Sequence, residues 1–90
     1  MLEGTVRVIN PLGLHARAAA QVVKLASGFM SQITITRADN SASADAKSML
    51  SVLTLAASIN TMLELTVKGD DENTAFDAVN DLFNRGFGEI

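Results

Sequence analysis

The stretch Asn10-Pro11-Leu12-Gly13-Leu14-His15-Ala16-Arg17 decides how this chain is read, because the hydrophobic period changes across it. Before it, Thr5-Val6-Arg7-Val8-Ile9 alternates, with Val6 and Val8 on one face and Thr5 and Arg7 on the other, which is the pattern of a strand. After Gly13, Ala16, Ala19, Ala20, Val23 and Ala26 recur at helical spacing. Gly28 then stands where a helix commonly ends on a left-handed residue. Pro11, the chain's single proline, and Gly13 mark the break between the two periods.

The same reading extends outward. Ile33 and Ile35 alternate with Gln32, Thr34 and Thr36 in a second strand. Asp39-Asn40 is a turn signal, and Ser41 to Ala44 reads as a weak edge strand. Ser48 is placed to cap a short apolar helix containing Met49, Leu50, Val52, Leu53 and Leu55. Leu63, Leu65 and Val67 alternate with Glu64 and Thr66 in a fourth strand. Gly69-Asp70 opens a last helix, with Asp70, Asp71 and Glu72 at its positive end and Ala75, Phe76, Val79, Leu82 and Phe83 as its buried stripe. Gly86 closes it. The expected order is β-α-β-β-α-β-α. Each strand has one apolar face, so the fold class is α+β: a four-stranded antiparallel sheet with helices on one side.

Ninety residues, 48% of them apolar, make one domain spanning residues 1–90. Seven Lys and Arg against ten Asp and Glu give a net charge of −3, which argues against a general nucleic-acid binder. With no cysteine and one histidine, disulfides, thiolate metal sites, thiol nucleophiles and two-histidine metal sites are excluded. The chain has no glycine loop of the common phosphate-binding types, and no cofactor is expected. Its opening residues lack a signal peptide's basic and apolar regions. Its longest apolar run, Met49 to Ala57, is broken by Ser51 and Thr54 and is too short to span a bilayer. A cytoplasmic monomer is expected.

His15 is the candidate for chemistry. It stands directly before the first helix, where unpaired N–H groups and the dipole favour an anion. Arg17 adds a full charge with a planar fork suited to phosphate oxygens. An imidazole nucleophile beside an anion cradle suits reversible histidine phosphorylation; an ordinary exposed histidine flanking a helix is the other reading. The pair Asp70-Asp71 reads as helix-start electrostatics.

Gly13-Leu14-His15-Ala16-Arg17 followed by an alanine-rich helix resembles the active-site segment of the HPr phosphocarriers of the bacterial phosphoenolpyruvate-dependent phosphotransferase system. Ala46-Lys47-Ser48-Met49-Leu50-Ser51-Val52-Leu53-Thr54-Leu55 resembles that family's second signature. The likeness covers essentially the whole chain. It implies an open-faced β-sandwich with three helices over the sheet. It further implies a stoichiometric carrier, not an enzyme: His15 takes a phosphoryl group on Nδ1 from phosphorylated enzyme I and passes it to EIIA-type proteins. The amides of Ala16 and Arg17 would hold the phosphate, and the Arg17 side chain would offset its charge.

The resemblance also makes Ser48 a regulatory phosphorylation site for an HPr kinase/phosphorylase, and Met49, Leu50 and Leu53, with Ala20 and Lys24, the docking surface for partners. Ala18 stands where the family usually has proline, which gives up about 0.4–1 kcal/mol of rigidity but leaves His15 and Arg17 untouched. The ending Asp81-Leu82-Phe83-Asn84-Arg85-Gly86-Phe87-Gly88-Glu89 resembles that of the family's nitrogen-related branch; read locally, it is a glycine-capped helix end with a frayed tail. Two other functions remain open: a regulatory binding module controlled by phosphorylation at Ser48 or His15, and a different phosphoenolpyruvate-linked relay.

Overall fold

Alternation along four segments builds one antiparallel sheet in the computed structural model, which describes residues 1–89. The strands are β1 (Leu2–Arg7), β2 (Gln32–Arg37), β3 (Ser43–Asp45) and β4 (Met62–Lys68), and they lie in the order β1-β4-β2-β3. The register pairs Val6 with Leu63, Ile33 with Val67 and Ile35 with Leu65, so the apolar side chains of three strands share one face. All of these are buried. Glu3, Thr5, Thr34, Glu64 and Thr66 take the opposite, polar face.

Three helices, α1 (Ala16–Ser27), α2 (Met49–Thr54) and α3 (Glu72–Asn84), cover the apolar face. This is the α+β, open-faced arrangement expected from the sequence. In α3, Ala75, Val79, Leu82 and Phe83 are buried, and Phe76 packs against the core. Phe76 lies across β1: a Cβ at Gly4 would come within 2.5 Å of the tip of its ring, so a side chain there would have to displace the ring.

Several boundaries and faces differ from the expectation. The first strand runs Leu2–Arg7 instead of starting at Thr5 and ending at Ile9; Val8 instead bonds to the backbone of Asn60 and Thr61. The edge strand is Ser43–Asp45, because Ser41 adopts a left-handed φ of 62° in the preceding turn. On α1 the buried residues are Ala18, Ala19, Val22 and Ala26, whereas Ala16 and Ala20 face solvent. An all-alanine pattern carries too little hydrophobic contrast to fix the stripe's rotation.

Gly28 ends α1 in a right-handed conformation, with its N–H donated to Leu25 O. Asp71 does not cap α3 with its side chain. Its carboxylate instead accepts from the N–H of Met30, the N–H of Ser31 and the Ser31 hydroxyl, and these bonds hold it below the usual carboxylate range. It pins the α1–β2 loop to the start of α3.

The bend between β1 and α1 turns on Gly13, whose φ is +66°. Gly13 N donates to Asn10 O and Leu14 N to Ala57 O, clamping the bend against the loop after α2. A Cβ at Gly13 would lie 2.5 Å from Ala57 O and 2.9 Å from Ser58 Cα, both backbone atoms that cannot yield cheaply. Gly13→Ala should therefore destabilise the fold by about 2 kcal/mol or more. Urea unfolding checks this, and a loss below about 0.5 kcal/mol would show that the bend relaxes.

Candidate functional site

His15 is the N-cap of α1, with extended backbone (φ −71°, ψ 177°). Its Nδ1 accepts the Arg17 N–H at 3.3 Å, doing with an imidazole what Ser or Asp does at most helix starts. The backbone N–H groups of Ala16 and Ala18 have no acceptor among the described residues, so the N-terminal end of α1 retains open donors beside the ring.

The other ring nitrogen meets the C-terminal segment: Nε2 lies 2.5 Å from Glu89 Oε2. A backbone N–H can only donate, so Nδ1 must be the accepting, lone-pair nitrogen, and Nε2 carries the hydrogen given to Glu89. Glu89 is fixed from behind by Asn10, whose Nδ2 donates to Glu89 Oε1 at 3.0 Å and to Gly13 O at 2.7 Å. These bonds, Asn10's first and His15's next, hold the Glu89 carboxyl below its ordinary range, with the Arg17 charge adding to the effect.

The tail that carries Glu89 is not frayed. After α3 the chain makes a 3₁₀ turn, Gly86–Gly88, in which Phe87 is buried edge-to-face on Phe83 at 5.0 Å. Gln21 Nε2 donates to Phe87 O and ties this turn to α1. Gly86, Phe87 and Gly88 all take positive φ, which folds the tail back toward residue 15. Pro11, Leu12, His15, Arg17, Gly88 and Glu89 line a surface depression of about 600 Å³. The Arg17 guanidinium makes no hydrogen bond among the described residues. The depression thus offers a nucleophilic nitrogen, open N–H donors and an available cation.

The other sequence candidates lie apart from it. Ser48 is the N-cap of α2 as expected, its hydroxyl accepting the Ser51 N–H at 3.4 Å. On α2, Leu50 is 74% exposed, Leu53 is partly exposed, and Met49 packs against the core. Ala16, Ala20 and Lys24 repeat every four residues as one exposed stripe along α1, and α1 packs against α2. The structure thus supplies an exposed strip running from the His15 end of α1, with the apolar tip of α2 on the neighbouring helix.

Asn10 and Glu89 were missed as site residues. Their signals were an asparagine before the only proline and a phenylalanine set between two glycines near the chain's end. Among the described residues there is no cluster of metal-binding side chains and no helix long and apolar enough to cross a membrane.

Comparison with known proteins shows the family and the fold. Residues 2–85 match the model of the PTS HPr component phosphorylation site. The phosphocarrier protein HPr of Cupriavidus necator is 44% identical over 89 residues, covering 99% of this chain and 98% of that protein. That of Treponema pallidum is 43% identical over 89 residues and covers 99% of each. Among solved structures, HPr-C-His from Thermoanaerobacter tengcongensis superposes with a TM-score of 0.92 at 39% identity, over 100% of this chain and 99% of that one. The catabolite repression containing protein Crh of Bacillus subtilis superposes at 0.73 with 29% identity, over 96% and 97%. With a family model spanning nearly the whole sequence and full-length relatives above 40% identity, the chain belongs to the HPr family, the phosphocarriers of the phosphotransferase system.

Proposed function

We propose that this chain accepts a phosphoryl group on His15 Nδ1 from phosphorylated enzyme I, itself charged from phosphoenolpyruvate, and delivers it to EIIA-type acceptors in sugar uptake or its regulation. The observation that carries the reading is the direction of the imidazole: its lone-pair nitrogen points at the start of α1, where open N–H groups and Arg17 are available to an anion. In the transfer, the Nδ1 lone pair forms the new bond to phosphorus. The bond from phosphorus to the donor breaks, and its electrons stay with the donor. The backbone N–H groups of Ala16 and Arg17 take phosphoryl oxygens, the Arg17 N–H being released as Nδ1 gives its lone pair to phosphorus, and the Arg17 guanidinium offsets charge in the transition state. Positioning and charge stabilisation supply the rate. Such a carrier turns over with its partners and works in the cytoplasm, where phosphoenolpyruvate is made.

Partners dock, in this reading, on Ala20, Lys24, Met49, Leu50 and Leu53. The exposure of Leu50 beside the capped start of α2 supports that surface and makes Ser48 a point of control by an HPr kinase/phosphorylase. The likeness to Crh favours a second reading, a binding module whose phosphorylation state sets association with a regulator. Its discriminating feature is that a pure binder has no need to discharge His15.

Incubation with enzyme I and labelled phosphoenolpyruvate should give acid-labile label in the wild type and none in His15→Ala. A chase with sugar-type and nitrogen-type EIIA proteins should then remove it. Arg17→Ala should slow transfer about a hundredfold with the fold intact. Label that persists in His15→Ala, or that no EIIA removes, would contradict the relay.

Ser48→Asp should melt close to wild type, since aspartate is also an N-cap and its charge suits the helix start. It should slow His15 phosphorylation at limiting enzyme I by about tenfold, because a charge must then be desolvated beside the apolar tip of α2. Ser48→Ala should cost about 1 kcal/mol of stability yet dock normally. Wild-type phosphorylation of Ser48→Asp would reduce Ser48 to a cap.

A further inference from the structure

Glu89 contributes a negative charge to a depression otherwise suited to an anion, and a phosphate-binding site has no evident use for one. Its placement is nonetheless built. Asn10 is fully buried, and its amide orientation is dictated by its neighbours: Gly13 O and Glu89 Oε1 are both acceptors, so Nδ2 must face them. The amide oxygen is left buried with no partner among the described residues, so the orientation is held at a cost. Phe87, buried between two glycines of positive φ, brings residue 89 back to the ring from the far end of the chain. A carboxylate held this firmly on one nitrogen of the proposed nucleophile acts on that nucleophile.

We propose that Glu89 is a positioning residue for phosphoryl transfer: it holds the proton on His15 Nε2 throughout the cycle, so that the phosphorylated ring stays cationic and ready to discharge. This rests on the reading of His15 as the phosphoryl carrier. When Nδ1 gives its lone pair to phosphorus and Nε2 keeps its hydrogen, the ring gains one positive charge. The donor's leaving atom keeps the electrons of the bond that breaks. Glu89, already ionised 2.5 Å from Nε2, neutralises that charge without a proton having to move. On delivery, the acceptor's lone pair bonds to phosphorus and the N–P electrons return to Nδ1, which leaves the ring neutral with Nε2–H in place.

A neutral phosphoimidazole, from which the Nε2 proton had been lost to water, would have to expel an imidazolide anion and would be a far poorer donor. The charged groups facing the ring among the described residues are Glu89 from the tail and Arg17 from α1. The bend before α1 and the loop after α2 bring polar backbone but no charge to it. Of these two charges, Glu89 alone favours the cationic ring, and its carboxylate, unlike the Arg17 guanidinium, is in hydrogen-bond contact with it.

The test needs no protein partner. Wild type and Glu89→Gln are phosphorylated with phosphoramidate, and the ring nitrogens of phospho-His15 are followed by 15N and 31P NMR as pH is raised. Glutamine can keep an oxygen on Nε2 without the charge while giving up the acceptor that faces Asn10 Nδ2, and equal melting temperatures before labelling establish that both are folded. The wild-type phospho-ring should lose its Nε2 proton about one to two pH units higher than that of Glu89→Gln. Its discharge to an EIIA acceptor should correspondingly persist to higher pH. Coincident titrations would reduce Glu89 to a tether for the tail and overturn the inference while leaving the carrier intact. Failure of the wild type to form phosphohistidine at residue 15 would overturn the carrier reading itself.

Discussion

A side chain's use as a helix cap organises this molecule. His15 Nδ1 accepts the Arg17 N–H, and that single contact fixes where α1 begins, which way the ring faces and which nitrogen carries the lone pair. The surrounding structure serves that placement. Gly13 bends the chain so that residue 15 emerges at the helix start, and the Leu14 N–H to Ala57 O bond anchors the bend to the loop after α2. Asn10 bonds the bend on one side and Glu89 on the other, so the approach to α1 and the end of the chain are locked together around one imidazole. An imidazole held in this way has little freedom left to lose, which is the condition that transfer by positioning requires in the proposed relay.

The two sides of the ring do different work. Toward α1, the environment is donor-rich and positive, matched to a phosphoryl group in the proposed relay. Toward the tail, it is acidic and matched to a proton. Separating an anion site from a proton site across one imidazole lets the ring change its bonding at one nitrogen while the other stays constant. The exposed strip on α1 and the tip of α2 lie outside this arrangement, so in the proposed reading a charge at Ser48 alters association without disturbing the ring.

Local patterning made most of this legible. The alternation in Gln32–Thr36 and Leu63–Val67 placed two central strands, and the stripe Ala75, Val79, Leu82 and Phe83 placed α3, because large apolar side chains at a fixed period admit one burial solution. His15, Arg17 and Ser48 could be placed at helix starts from the sequence because a change of hydrophobic period marks each boundary. The rotation of α1 was not legible: alanines at 16, 18, 19, 20 and 26 are nearly interchangeable in size, and the neighbouring sheet and α2 chose among them. Asp71 reads in the sequence as helix-start electrostatics, and its tie to Met30 and Ser31, about forty residues earlier, was not legible because their three donors meet it only in the folded chain. Glu89 was hidden for a similar reason. Its partner is 74 residues away, and only the packed turn at Phe87 brings the two together.

The claim on which the account stands is that His15, in the unphosphorylated protein, presents a bare Nδ1 to the helix and a protonated Nε2 to Glu89. Two-bond 1H–15N correlation spectra of 15N-histidine-labelled protein, recorded with the ring neutral, read this directly, since the two neutral tautomers give distinct nitrogen shifts and coupling patterns. The account predicts a pyridine-type Nδ1 and a pyrrole-type Nε2. The reverse assignment, with the hydrogen on Nδ1, would set two N–H groups facing each other at the start of α1 and would contradict it.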